Sequence, residues 1–402
     1  MAAFNLRDAA KASKTAKARR MRNLSTGSGG ENGDDAEEAL TFLSSNEDVL
    51  DASTYGEGVR RLLGRLTAVM NFGDDLQISR MSVEQCRRIV KHMLTIATPE
   101  VLDEESMAMA DSVLRFESAH SRLTDAASLT PIAEAGGCSI CLWRGDITNL
   151  RVGAIVNAAN SGLLGCFQPN HPCIDNAIHC GAGPRLRIAC RELKGPSNRP
   201  EPTGRAQITP AFRLPSDFVL HTVGPIAQYK GHEQPELLAS CYDQCLSVSA
   251  SNTVRSVAFC CISTGVFGYP ASAAAKVAAM TVKAWLLDPS HAGCMDRVVF
   301  NVFTPQDLEI YRTLLPLVFA PSSPSPSVSS SPSMSHLDAA EAVASSSSSS
   351  SALTEDKKQQ HPGTGWPSSN SSTTMQEVAA EMNAGMAESG LVTSAAEGSD
   401  TR

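Results

Sequence analysis

The chain has 402 residues, of which 42% are hydrophobic, and its formal net charge is −8 at pH 7. This length allows two or three domains with a real core, and the acidic balance argues against partners held through bulk charge, nucleic acid above all. Because no apolar run reaches the ~20 residues that span a bilayer and no apolar secretory segment stands near the N-terminus, we expect no membrane contact and an intracellular, by default cytoplasmic, location, with mitochondria and nucleus left open.

Residues 1–48 are predicted to be a disordered tail. Their first part is basic and alanine-rich, and their second part, GSGGENGDDAEE, is glycine-rich and acidic. A solvated basic tail is the interpretation that we favour. An organelle transit peptide is the alternative, because the start of the chain is basic, contains serine and has few acids.

Residues 49–130 are predicted to form a small helical lobe. The segment GVRRLLGRLTAVMNF carries apolar residues at helical spacing. In MSVEQCRRIVKHMLTIAT, Ser82 is followed three residues later by Gln85, which is the spacing of a capping box at a helix N-terminus. We find no catalytic pattern in this part of the chain and hypothesise that the lobe packs beside the catalytic loop and shapes substrate access.

Residues 131–319 alternate strand-like and helix-like segments. Apolar runs rich in β-branched or aromatic residues predict the strands CSICLW, VGAIVNAA, RAQITPAF, FVLHTVG, SVAFCCIS and RVVFNVF. Between or after them lie the helix-like AIHCGAGPRLRIACREL, PELLASCYDQCLSVSAS, SAAAKVAAMTVKAWLL and PQDLEIYRTLLPLV. This order predicts an α/β fold with helices on both faces of a sheet and a ligand site at the carboxyl ends of its strands. Residues 320–402 are rich in serine and proline, and we predict a second disordered tail there.

Two predicted strand ends carry polar residues that suit a nucleoside. Asn157 and Asn160 follow VGAIV, and their amides offer an acceptor and donors to sugar hydroxyls. The NAAN sequence alone is equally consistent with a polar turn. Asp146, in RGDIT after CSICLW, could accept a hydrogen bond from an adenine amino group, or it could simply cap a turn.

A glycine-containing turn between SVAFCC and an alanine-rich helix suits an anion. The turn consists of Ser263, Thr264, Gly265, Val266, Phe267 and Gly268. Its two glycines let backbone N–H groups face a phosphate, and the helix N-terminus adds positive potential. We therefore favour a diphosphate site over an ordinary glycine turn. No Walker lysine accompanies it, which disfavours an NTPase.

The loop GCFQPNHPC presents Cys166, His171 and Cys173 in a C-x4-H-x-C spacing. Thiolate and imidazole ligands suit zinc, and three protein ligands leave a position open, as catalytic zinc sites do. The alternative is that both cysteines are small buried hydrophobes and His171 is exposed. His179 lies one turn after Asp175 on the same helix face. It is either a fourth ligand or, as we favour, a packed or hydrogen-bonded residue.

Two further cysteine pairs are predicted to belong to the core. Cys138 and Cys141 lie within a predicted strand, where residues i and i+3 face opposite sides. Cys241 and Cys245 are one helical turn apart, and no nearby histidine supports a metal site. Thiols of an intracellular chain are normally reduced, so we expect no disulfides.

Taken together, these segments resemble the macrodomain family, the ADP-ribose-binding fold. RGDIT, IVNAANSGLLG, PTGRAQITPAFRLPSDFVLHTVGP and ISTGVFGYP stand in the family's order. GCFQPNHPCIDNAIHCGAGPRLR is similar to the pattern of the zinc-dependent branch, GCFxPxHxCIDNxIHxxAGxxLR, at every fixed position. The resemblance covers about residues 50–318. It implies a three-layer α/β/α macrodomain with a mixed sheet at 131–319, preceded by the helical lobe.

The resemblance also implies roles for individual residues. By similarity, Asp146 and Ile147 recognise adenine, and Asn160 holds the distal ribose. The backbone of residues 263–268 wraps the diphosphate and that ribose. Tyr311 either lines the adenine pocket or simply packs.

The chemistry is implied for a second set of residues. Cys166, His171 and Cys173 bind Zn²⁺ near the anomeric carbon of the distal ribose. Asn160 and Asp175 are the catalytic candidates, with Asp175 positioning a water or a ribose hydroxyl. The sequence leaves open whether zinc activates water or mainly orients the substrate.

The implied activity is a glycosidase-type hydrolysis that removes mono-ADP-ribose from a protein side chain, Asp or Glu first of all. The implied partners are ADP-ribose and a mono-ADP-ribosylated protein, and the enzyme is expected to be a monomer. The alternatives are an ADP-ribose reader without turnover, an O-acetyl-ADP-ribose deacetylase and a structural zinc protein.

Overall fold

The computed structural model describes residues 50–72, 76–227, 231 and 233–320. Apart from Ala320, the two predicted tails lie outside the described residues, and so does the transit-peptide alternative. Within the described ranges no helix is both long and apolar enough to cross a bilayer.

The described residues include nine strands: β1 Thr124–Asp125, β2 Ala133–Ala135, β3 Cys138–Arg144, β4 Leu150–Arg151, β5 Ala154–Ala158, β6 Ala206–Pro210, β7 Phe218–Thr222, β8 Ser256–Phe259 and β9 Arg297–Val302. Seven form one sheet in the order β2-β3-β9-β8-β5-β7-β6. The five central strands are parallel, and the two edge strands, β2 and β6, are antiparallel to their neighbours. β7 is buried along its whole length, as expected for a parallel strand covered on both faces.

The described residues also include eight α-helices: α1 Tyr55–Val69, α2 Val83–Ile96, α3 Glu104–His120, α4 Ile174–Ala182, α5 Pro184–Lys194, α6 Pro235–Ser251, α7 Ala271–Leu287 and α8 Pro305–Val318. α6, α7 and α8 form one group against the sheet, and α4 and α5 form another. The result is the predicted α/β architecture with a mixed sheet between helical layers.

The single helix predicted from AIHCGAGPRLRIACREL is two helices. Gly183 separates them with φ +87°, a backbone conformation that favours glycine. Pro184 follows at the first position of α5, and a residue before proline is disfavoured from helical geometry. The Gly183-Pro184 pair therefore ends α4 and starts α5 at once.

The helical lobe forms as its sequence pattern predicts. α1 buries Val59, Leu62 and Leu66. The capping box at the start of α2 is confirmed: the Gln85 N–H donates to Ser82 Oγ at 3.2 Å, and the Ser82 N–H donates to Gln85 Oε1 at 2.9 Å. The domain boundaries at 49–130 and 131–319 stay predictions.

A buried carboxylate joins the lobe to the helices beside the sheet. Asp111, in α3, has a fully buried side chain. It accepts from Arg185 Nε at 2.7 Å and from Arg213 Nε at 2.9 Å. Arg185 also pairs with Glu104 at the start of α3. Removing one partner of such a buried ionic group would leave uncompensated charge, so the lobe cannot separate from these arginines without a cost.

The two cysteine pairs assigned to the core are confirmed there. Cys138 and Cys141 are buried in β3, and Cys241 and Cys245 are buried in α6. Among the described residues, none of these four belongs to a group of side chains that could hold a metal ion.

Candidate functional site

The candidate site residues follow the carboxyl ends of neighbouring parallel strands. The order β3, β9, β8, β5 places Asp146 first along this edge of the sheet, residues 263–268 third and Asn160 fourth. The second place, after β9, belongs to Phe303. Ligands of open α/β sheets bind at this edge.

Asp146 is exposed and caps a short 3₁₀ turn, Ile147–Asn149. Its Oδ1 accepts from the backbone N–H of Thr148 at 2.9 Å and from the Thr148 hydroxyl at 2.6 Å. The capping role considered from the sequence is therefore real, and both bonds use the same carboxylate oxygen. Ile147 packs into the core, so a ligand could reach only its backbone.

Phe303 is a further candidate site residue, which the sequence did not reveal. It directly follows Val302, whose carbonyl accepts from the Gly145 N–H at 3.1 Å, so it lies close to Asp146. Its side chain is 74% exposed, which is unusual for a phenylalanine at the end of a core strand. In RVVFNVF it looked like the last residue of the strand, and only the structure separates it from the core.

The turn at 263–268 is closed by two backbone hydrogen bonds, and Gly265 in its middle is exposed. The Tyr269 N–H donates to the Ser263 carbonyl at 2.9 Å, and the Gly268 N–H donates to the Gly265 carbonyl at 3.0 Å. Among the described residues, no atom lies within 4 Å of the place that a Cβ on Gly265 would occupy. α7 starts directly behind the turn, so its N-terminal end adds positive potential there.

Ser263 carries backbone strain at the base of this turn. Its φ is +67°, which is costly for a residue with a side chain. Its hydroxyl is buried and has no hydrogen-bond partner among the described residues. A Cβ on Gly224 would lie 2.0 Å from that hydroxyl, so the close approach of the two segments requires glycine at 224.

The three predicted metal ligands come together in the loop between β5 and α4. The ligand atoms of Cys166, His171 and Cys173 lie within 4.8 Å of one another. Cys166 Sγ and His171 Nδ1 are 3.6 Å apart. Tetrahedral zinc with ordinary Zn–S and Zn–N distances would place such a sulfur and nitrogen about 3.6 Å apart. The residues therefore fit a zinc ion.

The electrostatics of the two thiols also suit a cation. A hydrogen bond from Cys173 lowers the pKa of Cys166 to about 5, while the same contact raises the pKa of Cys173. Cys173 is the N-cap of α4, and its Sγ accepts from the Asn176 N–H at 3.3 Å. This backbone hydrogen bond favours the Cys173 thiolate, which is the form that binds metal, and so opposes the raised pKa.

A second cluster of candidate ligands has different chemistry. His179, Cys190 and His221 also bring their ligand atoms within 4.8 Å of one another, and all three are buried. Burial raises the pKa of Cys190 to about 12 and lowers the pKa of His221 to about 3. His221 Nε2 lies 2.9 Å from the Thr209 hydroxyl, so this imidazole belongs to a neutral hydrogen-bonded core. His179 packs here and is not part of the group formed by Cys166, His171 and Cys173, in keeping with the interpretation favoured from the sequence.

The two catalytic candidates are hydrogen-bonded to each other. Asn160 Nδ2 donates to Asp175 Oδ2 at 3.1 Å and to the Gly165 carbonyl at 3.0 Å. Asn160 Oδ1 accepts from the Gly162 N–H at 2.8 Å, which leaves this oxygen one further lone pair. Asn160 thus fixes the start of the loop at 165–173, which carries the three candidate zinc ligands and is called the zinc loop below, and is exposed beside it.

Asp175 lies deeper than the sequence suggested. It is only 4% exposed, and its Oδ1 accepts from Asn157 Nδ2 at 2.8 Å. Burial raises the pKa of its carboxyl group to about 6, against the opposing effect of the Asn157 hydrogen bond. Both carboxylate oxygens are occupied by amide donors, so Asp175 is placed to hold Asn160 in position.

Asn157, which the sequence suggested as a partner for a sugar hydroxyl, is instead fully buried and completes this network with His221, which the sequence did not reveal. They are register partners on β5 and β7, and Asn157 Nδ2 lies 3.2 Å from His221 Nδ1. Both are polar residues within buried apolar strands, a signal that VGAIVNAAN and FVLHTVG contain. Tyr311, by contrast, is buried against Phe300, with ring centroids 5.4 Å apart, so it packs.

Comparison with known proteins gives consistent matches. The model of the macro domain family matches residues 156–278. A protein of Treponema medium named protein-ADP-ribose hydrolase is 43% identical over 228 residues, which cover 56% of this chain and 86% of that protein. A protein of the same name from Staphylococcus aureus is 38% identical, covering 60% and 89%. The solved structure of a Trypanosoma brucei macrodomain in complex with ADP-ribose is 30% identical, with a TM-score of 0.43, covering 58% and 96%.

Proposed function

Since the chain belongs to the macro domain family, we propose that it is a monomeric, zinc-dependent hydrolase that releases ADP-ribose from mono-ADP-ribosylated proteins, with Asp or Glu adducts as its first substrates. The relatives named protein-ADP-ribose hydrolase support the enzyme class. The observation that carries the zinc dependence is the group of Cys166, His171 and Cys173, whose spacing suits tetrahedral zinc and which lies beside Asn160.

ADP-ribose would lie along the carboxyl edge of the sheet in the order of the strands. Its adenine would stack on the exposed ring of Phe303 and donate its amino group to Asp146. Its diphosphate would lie on the turn at 263–268, where room above Gly265 and the N-terminus of α7 favour an anion. Its distal ribose would then reach Asn160 and the zinc loop after β5.

At the distal ribose, the metal and the side chains of the protein would have different roles. When bound, zinc supplies Lewis acidity at an oxygen of the scissile linkage or at a water. Asn160 Oδ1 has one lone pair left for a ribose hydroxyl. Asp175 keeps the Asn160 amide in place from behind and is thus a positioning residue, because its buried carboxylate is already engaged. Correct orientation of reacting groups accounts for a large share of catalysis in such sites.

The decisive experiment is a time course on a protein mono-ADP-ribosylated on Asp or Glu, run together with metal analysis of the enzyme. Release of free ADP-ribose by a protein holding about one zinc, and loss of that release on chelation, support the proposal. Tight binding without release would identify an ADP-ribose reader. Release only from O-acetyl-ADP-ribose would identify the small-molecule esterase.

Replacing Phe303 by alanine should weaken ADP-ribose binding about five- to 100-fold, because stacking of a base on an aromatic ring contributes about 1–3 kcal/mol. Calorimetric titration with ADP-ribose measures this. Leu317→Ala is the matched control, since Leu317 is equally exposed at 73% but lies on α8. Equal affinities of Phe303→Ala and the unmodified protein would contradict the adenine position.

Replacing Asn160 by alanine should reduce kcat about 100-fold with a smaller change in KM, because the zinc loop loses its anchor at Gly165 and Asp175 loses a donor. Steady-state kinetics on the Asp/Glu-modified substrate separate the two constants. A variant that keeps its kcat but loses only affinity would show that Asn160 binds the ribose and does not position the loop.

A further inference from the structure

Arg187 is a buried cation at the junction of the lobe and the zinc loop. It lies in α5 and is 5% exposed. Its guanidinium donates to the Leu94 carbonyl at 3.2 Å and to the Ala97 carbonyl, both at the C-terminal end of α2. From the same group, Nε donates to the Leu164 carbonyl at 2.7 Å, two residues before Cys166.

The same guanidinium also touches the zinc loop itself. Its central carbon lies 4.3 Å from the centroid of the Phe167 ring, within the range of a cation–π interaction. Phe167 directly follows the zinc-loop ligand Cys166. A second contact from α2 reaches the same loop, since His92 Nε2 lies 2.9 Å from Asn170 Oδ1. The loop is therefore held to the lobe on both sides of its first thiol.

The electrostatics explain why an arginine is buried here. The last carbonyls of α2 have no partners within their helix and form the negative end of its dipole. A planar guanidinium can serve several acceptors in fixed directions at once. Burial lowers the pKa of Arg187, and the nearby Asp175 and Cys166 oppose this effect. The positive charge of Arg187 therefore also interacts with residues of the candidate site.

Apolar packing alone does not fix the zinc loop against α2. A small cavity lies between them, lined among others by Thr95, Cys166, His179 and Arg187. Where side chains do not interdigitate, geometry depends on directed contacts. The hydrogen bonds of Arg187 are directed contacts of this kind. They reach the C-terminal end of α2 and Leu164, and the guanidinium also contacts Phe167 in the zinc loop.

We propose that Arg187 is a positioning residue that couples the C-terminal end of α2 to the loop of Cys166, so that the helical lobe sets the geometry of the metal site. This inference rests on the proposed zinc dependence. The lobe thereby acts as part of the metal site, although it supplies no ligand, in the way that outer partners orient metal ligands elsewhere.

The test compares Arg187→Lys with the unmodified full-length chain. Lysine keeps the charge but cannot donate to three carbonyls from one plane while its face stacks on an aromatic ring. Zinc affinity, measured by competition with a chromogenic chelator, should fall about 10- to 100-fold. kcat should fall together with the zinc affinity. The affinity for free ADP-ribose should stay within about twofold, because the residues assigned to adenine and diphosphate follow β3, β9 and β8, whereas the zinc loop follows β5.

Two further variants separate coupling from loss of folding. Arg185→Lys disturbs the contact of the same helix with Asp111 and should lower stability without changing zinc affinity. Phe167→Leu removes only the ring contact and should give a smaller loss of zinc affinity in a folded protein.

Unchanged zinc affinity in Arg187→Lys and Phe167→Leu overturns the coupling and leaves the proposed function standing. An equal loss in Arg185→Lys also overturns it, because the effect would then belong to the interface as a whole. An unmodified protein that takes up no zinc overturns the proposed function, and the coupling with it.

Discussion

Replacing Cys166 or His171 by alanine should reduce turnover about 1,000-fold or more, while ADP-ribose binding largely survives. A bound metal contributes several kcal/mol to stabilising charge in a transition state, and each 1.36 kcal/mol is a factor of ten in rate. Each variant leaves only two ligands of the predicted three. The residues that we assign to adenine and diphosphate are untouched. Release of ADP-ribose from a modified protein and calorimetric titration with ADP-ribose measure the two effects.

Cys294→Ala is the control for this experiment, because Cys294 is a partly exposed thiol outside both groups of candidate metal ligands. Its turnover should match that of the unmodified protein. Full activity of the Cys166 or His171 variant, or of a metal-free preparation, would rule out a catalytic metal. A loss of binding equal to the loss of turnover would instead favour a structural metal whose removal disorders the whole site.

Replacing Asp111 by alanine should lower the free energy of unfolding by about 3–5 kcal/mol. The carboxylate is fully buried between Arg185 and Arg213, and its removal leaves two neighbouring guanidinium groups without their common acceptor. Urea unfolding followed by circular dichroism measures the change, and the midpoint should move without a change in the native spectrum.

The exposed pair of Glu309 and Arg312 provides the comparison. Its side chains are more than half exposed, so Glu309→Ala should change the free energy of unfolding by less than about 1 kcal/mol. If Asp111→Ala were no more destabilising than Glu309→Ala, the buried contact would not be what holds the lobe.

The central sheet could be predicted from the sequence because its strands are continuous apolar runs. α6 and α8 also begin and end where their patterns predict. β1 and β4 have two residues each and β2 has three, too short for any alternation to appear. The break at Gly183 was visible as a Gly-Pro pair, but helical spacing on both sides concealed it.

The grouping of Cys166, His171 and Cys173 as candidate metal ligands could be predicted because the three residues lie within eight residues of sequence. Arg187 could not, since its acceptors Leu94 and Ala97 are about ninety residues away in the chain. The same holds for the contact of Asn157 with His221, which depends on the register of β5 against β7. Asp175 was predicted, but its depth depends on how α4 packs, which the sequence pattern does not reveal.

The carboxylate of Asp111 and the last carbonyls of α2 together serve three arginines that lie beyond residue 131. A chain cut between lobe and sheet would keep all three cations and lose the acceptors that make their burial tolerable. In this chain the burial of the three arginines therefore depends on the helices that precede the sheet. A fragment of this chain that begins after the lobe should therefore be less stable than the full chain, because its three cations lose acceptors that they have here.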